Sequence, residues 1–281
     1  MDLITAQGEE LCAGGDYQAA QSQLPKEHFL QGEILYWLGH PEARERLRGL
    51  DGARARLAEA RCCWQADLYD QGLELLAGLQ GEAEAELTRA LLWLCQGRRE
   101  AAEAILPAAL SGLNGHRLLR AYFDLGVSYE FLELLEPARD FFQKAASGWR
   151  QLSATHPELA ASLFGLAGVQ QKLRDPDIRS TCLEFMQRFP AQDQRWPAMA
   201  EALALDFLEE RRWVELEPIL QQIWQRSERA SVAYLLGVAH SQLDRPTQAR
   251  EWMLRAESGF LSEGRPDMLE RARANLQKLT S

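Results

Sequence analysis

The chain has 281 residues, a formal net charge of −10 and a pI near 5.1. It holds 46 Leu and 39 Ala but only 17 β-branched residues (6 Ile, 5 Val, 6 Thr), too few for a sheet of ordinary size. Apolar residues at 46% and charged residues at 26% exclude disorder as the main state, and the acidic balance excludes a protein built on phosphate contacts.

Helix pairs recur along the chain. In the first, Gly8 lies twelve residues before Ala20, Leu11 nine before, Tyr17 three before and Leu24 four after, with Gly14-Gly15-Asp16 as the turn. Pro25 stops one helix early and Pro41 starts another, which carries Ala43, the anchor of a short second pair. Six arginines follow (Arg44, Arg46, Arg48, Arg54, Arg56 and Arg61), interrupted by Glu42, Glu45, Asp51 and Glu59. That run carries only +2, as a solvated, salt-bridged helix face does. The third pair is anchored on Leu75 and the fourth on Ala102, after the turn Gln96-Gly97-Arg98-Arg99-Glu100. The interval Ser111-Gly112-Leu113-Asn114-Gly115 reads as a junction between subdomains.

Beyond the junction the offsets are most complete around Ala138, with Gly126, Tyr129, Leu135, Phe142 and Ala145 in register. They recur around Leu216 (Ala204, Phe207, Trp213, Leu220) and Ala249 (Gly237, His240, Pro246, Met253), with Ile178 as the anchor between. A last helix over 265–281 opens on Pro266-Asp267 and has one polar face, as a terminal cap requires. The spacing has a physical reason. A small residue in the first helix lets the second approach to the usual ~8–10 Å between axes, and large residues four and seven further on fill one face.

This pattern resembles the tetratricopeptide repeat family, with Leu125-Gly126, Tyr129, Ala138, Phe142 and Ala145 the fullest match. Successive anchors step by 23 to 40 residues, scattered about the family period of roughly 34. The resemblance implies an all-α, right-handed superhelical solenoid of antiparallel helix hairpins. Its expected divisions are short repeats over 1–110, longer repeats over 111–264 and a capping helix over 265–281.

Nothing reads as catalytic. The five histidines lack metal-ligand spacing, and no phosphate loop or nucleophile elbow occurs. His240 fills a packing slot, while His40, His116 and His156 fall at helix junctions as turn or capping residues. Five cysteines without framework spacing are expected as free thiols. No metal or other cofactor is implied. The start, Met1-Asp2-Leu3-Ile4, is unlike a signal peptide, so a cytoplasmic location is expected, without membrane or nucleic-acid partners.

Family geometry implies that the first helices line a concave groove. The residues so placed are Phe29, Tyr36, Trp37, Trp64, Leu87, Leu91, Phe123, Val127, Phe131 and Tyr234. They form either an apolar groove for a protein or peptide segment or the packed core of a tight superhelix. The Lys, Asn and Arg clamp with which some relatives hold a terminal carboxylate is absent, and Glu9, Glu33, Glu201 and Glu209 suggest a basic partner instead. The leading expectation is a non-enzymatic interaction scaffold, with a regulatory or signalling role of bacterial type. Self-association into a homodimer and a sensor for a small apolar ligand are the alternatives.

Overall fold

The structure, a computed structural model, describes residues 3–25, 28–38, 40–190 and 192–279. Met1, Asp2, Thr280 and Ser281 therefore lie outside the described residues, as do small parts of the expected start and cap. Among the described residues there are seventeen α-helices and no strand. In chain order they are α1 (Leu3–Ala13), α2 (Tyr17–Gln23), α3 (Phe29–Trp37), α4 (Ala43–Leu47), α5 (Ala53–Gln65) and α6 (Tyr69–Leu75). Then come α7 (Ala83–Cys95), α8 (Arg99–Ser111), α9 (Gly115–Phe131), α10 (Leu135–Leu152) and α11 (Pro157–Leu173). The remainder are α12 (Ile178–Arg188), α13 (Trp196–Glu209), α14 (Trp213–Ser227), α15 (Ala230–Gln242), α16 (Pro246–Ser262) and α17 (Pro266–Lys278). No described helix is long and apolar enough to cross a membrane.

One turn chemistry makes most of the hairpins. The first helix ends in a residue with positive φ, and the next N–H reaches back five residues to the helix. Asp16 N donates to Leu11 O at 2.9 Å, Leu68 N to Cys63 O at 2.9 Å and Arg98 N to Trp93 O at 2.8 Å. Leu134 N to Tyr129 O, Arg212 N to Phe207 O and Arg245 N to His240 O repeat it. The left-handed residue is Gly15 or Gly97 in two of these turns, but Asp67, Glu133, Arg211 and Asp244 in the others.

The second helix then starts three residues before its buried anchor. Ala20, Ala102, Ala138 and Ala249 sit there as expected, each fully buried. Two anchors move. Gly72 N donates to Leu68 O and Thr181 N to Asp177 O in the same geometry, so Gly72 and Thr181 replace Leu75 and Ile178. Gly72 has no room for a side chain, since a Cβ would stand 3.0 Å from Leu92.

Two compact units result, Met1–Leu173 and Arg174–Ser281. The division does not fall at 110/111, as the glycine-containing interval suggested. Gly112 is pressed against Ala83, where an added Cβ would lie 2.6 Å from the alanine Cβ, and Leu113 is buried. The interval is thus a packed corner inside the first unit, and α7 touches α9 across it. In the second unit α17 packs on α16 through Ala272, Met268 and Leu269 and turns its charged face outward.

Candidate ligand cleft of the first unit

Helices α1, α3, α5, α7, α9 and α11 contribute the inward residues of the first unit, and charge lines much of that interior. Glu9 Oε1 accepts from Arg54 Nη2 and Arg117 Nη2, both at 2.9 Å. Arg61 Nη2 donates to Glu84 Oε2 at 2.7 Å and its Nη1 lies 3.5 Å from Glu33 Oε1, while Arg117 Nη1 also reaches Glu84. Arg120 bonds Asp124 Oδ1 through Nε at 3.2 Å and Glu158 Oε1 through Nη1. Five carboxylates thus face four guanidiniums around one cavity of about 610 Å³, a volume that includes its mouth. Burial pushes the Glu33 carboxyl above the usual range despite Arg61 and Arg54, and likewise Asp124 despite Arg120. Burial opposes ionisation of Glu84 too, but Arg61, Arg117 and Arg54 together hold it below the usual range.

This ladder corrects two sequence readings. Glu9 and Glu33 are neutralised internally, so they offer no acidic seam to a partner. Arg54 and Arg61 belong to the interior and not to a solvated face, with the Arg61 side chain only 12% exposed. No sequence spacing marks the ladder, because Glu9 and Arg117 are 108 positions apart.

The two ends of the first unit meet. The Tyr17 hydroxyl donates to Glu158 Oε1 at 2.9 Å. His156 accepts the Glu158 N–H at Nδ1, which caps α11, and approaches Ala13 O at 3.2 Å with Nε2. Together these contacts require the proton on Nε2. The His156 ring stacks on Trp149 at 4.2 Å, and burial lowers its pKa, favouring the neutral ring. The junction histidines His28 and His40 likewise accept a backbone N–H two residues on.

Beside the ionic cavity, and sharing Arg120 and Asp124 with it, lies a second cleft of about 660 Å³ including its mouth. Trp64, Phe123, Val127 and Phe131 line it, joined by Tyr69 and the short side of Cys95. Four of the ten expected groove residues therefore converge. Phe131 is 64% exposed, Phe123 and Val127 are half-buried, and Trp64 is buried with its indole N–H on Cys95 Sγ at 3.3 Å. Burial raises the Cys95 thiol pKa, opposed by its hydrogen bonds. Ser128 is fully buried on the same cleft, with its hydroxyl on the Cys95 thiol.

The other six sit elsewhere. Leu87, Leu91 and Tyr36 are buried in the main core cluster, with Leu87 also edging the ionic cavity. Phe29 and Trp37 are half-buried between that cluster and the one formed by Cys12, Tyr17 and Leu30. Tyr234 belongs to the second unit, where its ring lies 6.2 Å from Phe260 and its hydroxyl accepts from Asn275 at 3.0 Å. Core packing claims these positions because a helix face turned toward two neighbours has little left for solvent.

Comparison with known proteins supports this architecture. Residues 119–147, the α9–α10 hairpin, match the tetratricopeptide repeat model. No curated protein matches the chain in sequence. Among solved structures, the Cut9–Hcn1 hetero-tetramer of the APC/C is similar at a TM-score of 0.53 and 14% identity. That match covers 97% of this chain but only 55% of the other, so the chain spans little more than half its length. The C-terminal part of a TPR repeat-containing protein from Cytophaga hutchinsonii gives a TM-score of 0.47 at 12% identity, covering 90% of this chain and 95% of that one. The TPR2AB-domain:pHSP90-complex of yeast Sti1 gives 0.37 at 14% identity over 82% and 98%. At 14% identity the likeness to the Cut9–Hcn1 structure concerns the fold alone.

Proposed function

From a chain that is a helical-repeat protein of the tetratricopeptide type, we propose that the first unit is a docking module for a segment of a protein partner. The observation that carries this reading is the cleft itself. Large apolar side chains from α5 and α9 face one another there, and Phe131 stands open to solvent where a core residue would be covered. Aromatic side chains in a concavity beside polar groups are the usual anchors of protein recognition. Non-catalytic scaffolding follows, since the charged groups nearby are spent on one another. A cytoplasmic regulatory setting remains part of the same proposal.

The sensor alternative is weaker on chemistry. The ionic cavity sets carboxylates and guanidiniums beside Leu30, Trp37, Leu87 and Trp149, and an apolar small molecule there would have to desolvate those charges without recompense. The docking reading is tested with a partner recovered by affinity capture, purified, and titrated against wild-type protein and the Phe123→Ala and Phe131→Ala variants. A loss of about tenfold or more in affinity supports it. Unchanged affinity in both variants contradicts it.

A further inference from the structure

The cleft has features that an apolar anchor alone would not need. Three first helices end on it: α5 at Gln65, α7 at Cys95 and α9 at Phe131. Helix C-termini carry partial negative charge, which favours a cation placed against them. A carboxylate adds to this: Asp67 follows the end of α5 and accepts from the Tyr69 hydroxyl at 2.6 Å. The one cation among the lining residues, Arg120, is already bonded to Asp124 and Glu158.

The walls suit a cation as well. Trp64, Tyr69 and Phe131 present aromatic surface, whose negative faces attract a cation and against which a flat one stacks, while Arg120 already lies 5.3 Å over the Phe123 ring. The surrounding field has the same sign. Residues 1–173 hold 24 acidic and 16 basic side chains, so −8 of the chain's net −10 belongs to this unit.

We infer that the cleft receives an arginine side chain from the docked segment, its guanidinium between the aromatic walls and the Asp67 carboxylate. A guanidinium is planar, weakly hydrated and rich in donors, which matches aromatic faces and a carboxylate together. This assignment rests on the docking reading and specifies what is docked.

The test uses the full chain and three blocked alanine–serine peptides that differ only at a central arginine, citrulline or phenylalanine. Binding is followed by NMR through the Trp64 indole N–H, identified by its disappearance in Trp64→Phe. The arginine peptide is expected to displace that resonance and to bind about tenfold more tightly than the citrulline peptide. High salt should erode the difference. Asp67→Asn, which keeps a residue tolerant of the left-handed conformation, should remove most of it. Equal binding of arginine and citrulline peptides, or tightest binding of the phenylalanine peptide, overturns the guanidinium assignment and leaves docking standing. If no peptide moves the resonance, docking at this cleft falls with it.

Discussion

The Tyr17 hydroxyl and Glu158 Oε1 are 2.9 Å apart although 141 positions separate the residues, and this bond joins the first hairpin of the first unit to its last helix. Glu158 also accepts from Arg120, so the same carboxylate ends the interior ladder. Tyr17→Phe keeps the ring and removes the donor. It should destabilise the chain by about 1–2 kcal/mol, the usual worth of a hydrogen bond to a charged group. Urea unfolding gives the magnitude, and faster amide exchange confined to α1, α2 and the start of α11 would locate it. Unchanged exchange there would mean that the two ends are held by other contacts.

Phe142 lies between two glycines: a Cβ added at Gly126 would stand 2.7 Å from its ring and one added at Gly165 2.6 Å. Gly126→Ala should therefore overpack the site and cost about 1–3 kcal/mol. Gly168, on the same helix as Gly165, meets only Glu130 Oε1 at 3.9 Å. Gly168→Ala should stabilise by up to about 1 kcal/mol through helix propensity. Opposite signs in thermal unfolding support the packing described here; equal effects would not.

These glycines and the fully buried Ala20, Ala102, Ala138 and Ala249 explain why the fold was legible. A close helix contact demands a small residue at one position, and local sequence displays it directly. Gly72 and Thr181 were harder because the anchor slot there holds glycine and threonine and not the alanine that marks it at Ala20, Ala102, Ala138 and Ala249. The junction at 111–115 misled because glycine there answers to close packing on Ala83 and not to freedom. For the site, Trp64, Phe123, Val127 and Phe131 could be read from repeat position. Tyr36, Leu87 and Leu91 could not be separated from them, since periodicity reports a face and not what covers it. The ionic ladder left no local trace at all, its partners being tens of residues apart.

Glu133 adopts φ 58° at the turn between α9 and α10. A non-glycine residue gives up roughly 1 kcal/mol in that conformation, and Glu133 is exposed. Glu133→Gly should raise the urea midpoint by a corresponding amount. Gly97→Ala, at φ 75° in the equivalent turn, should lower it.

Glu33 is held above its ordinary pKa by burial, Arg61 and Arg54 notwithstanding. The native state then binds this proton more readily than the unfolded chain. Its unfavourable contribution is complete above the raised pKa and fades as pH falls below the usual carboxylate range. Glu33→Gln leaves Arg61 on Glu84 and Arg54 on Glu9, so it should be neutral to stabilising by about 1 kcal/mol at pH 7, a gain that vanishes in acid. Glu84 has the opposite sign. Its lowered pKa gives stability above the usual carboxylate range that is lost as pH falls, and Glu84→Gln should destabilise at pH 7 by about 2 kcal/mol. Unfolding free energies of both variants across pH decide this; parallel profiles would contradict it.

The most direct measurement compares the affinity of a purified partner for wild-type protein, Phe131→Ala and Val214→Ala. Phe131 and Val214 are both exposed, at 64% and 68%, so neither substitution should change the melting temperature. Only Phe131 lines the cleft. A fall of about tenfold or more for Phe131→Ala, with Val214→Ala matching wild type, is the predicted result. Equal affinity for all three proteins would contradict docking at this cleft.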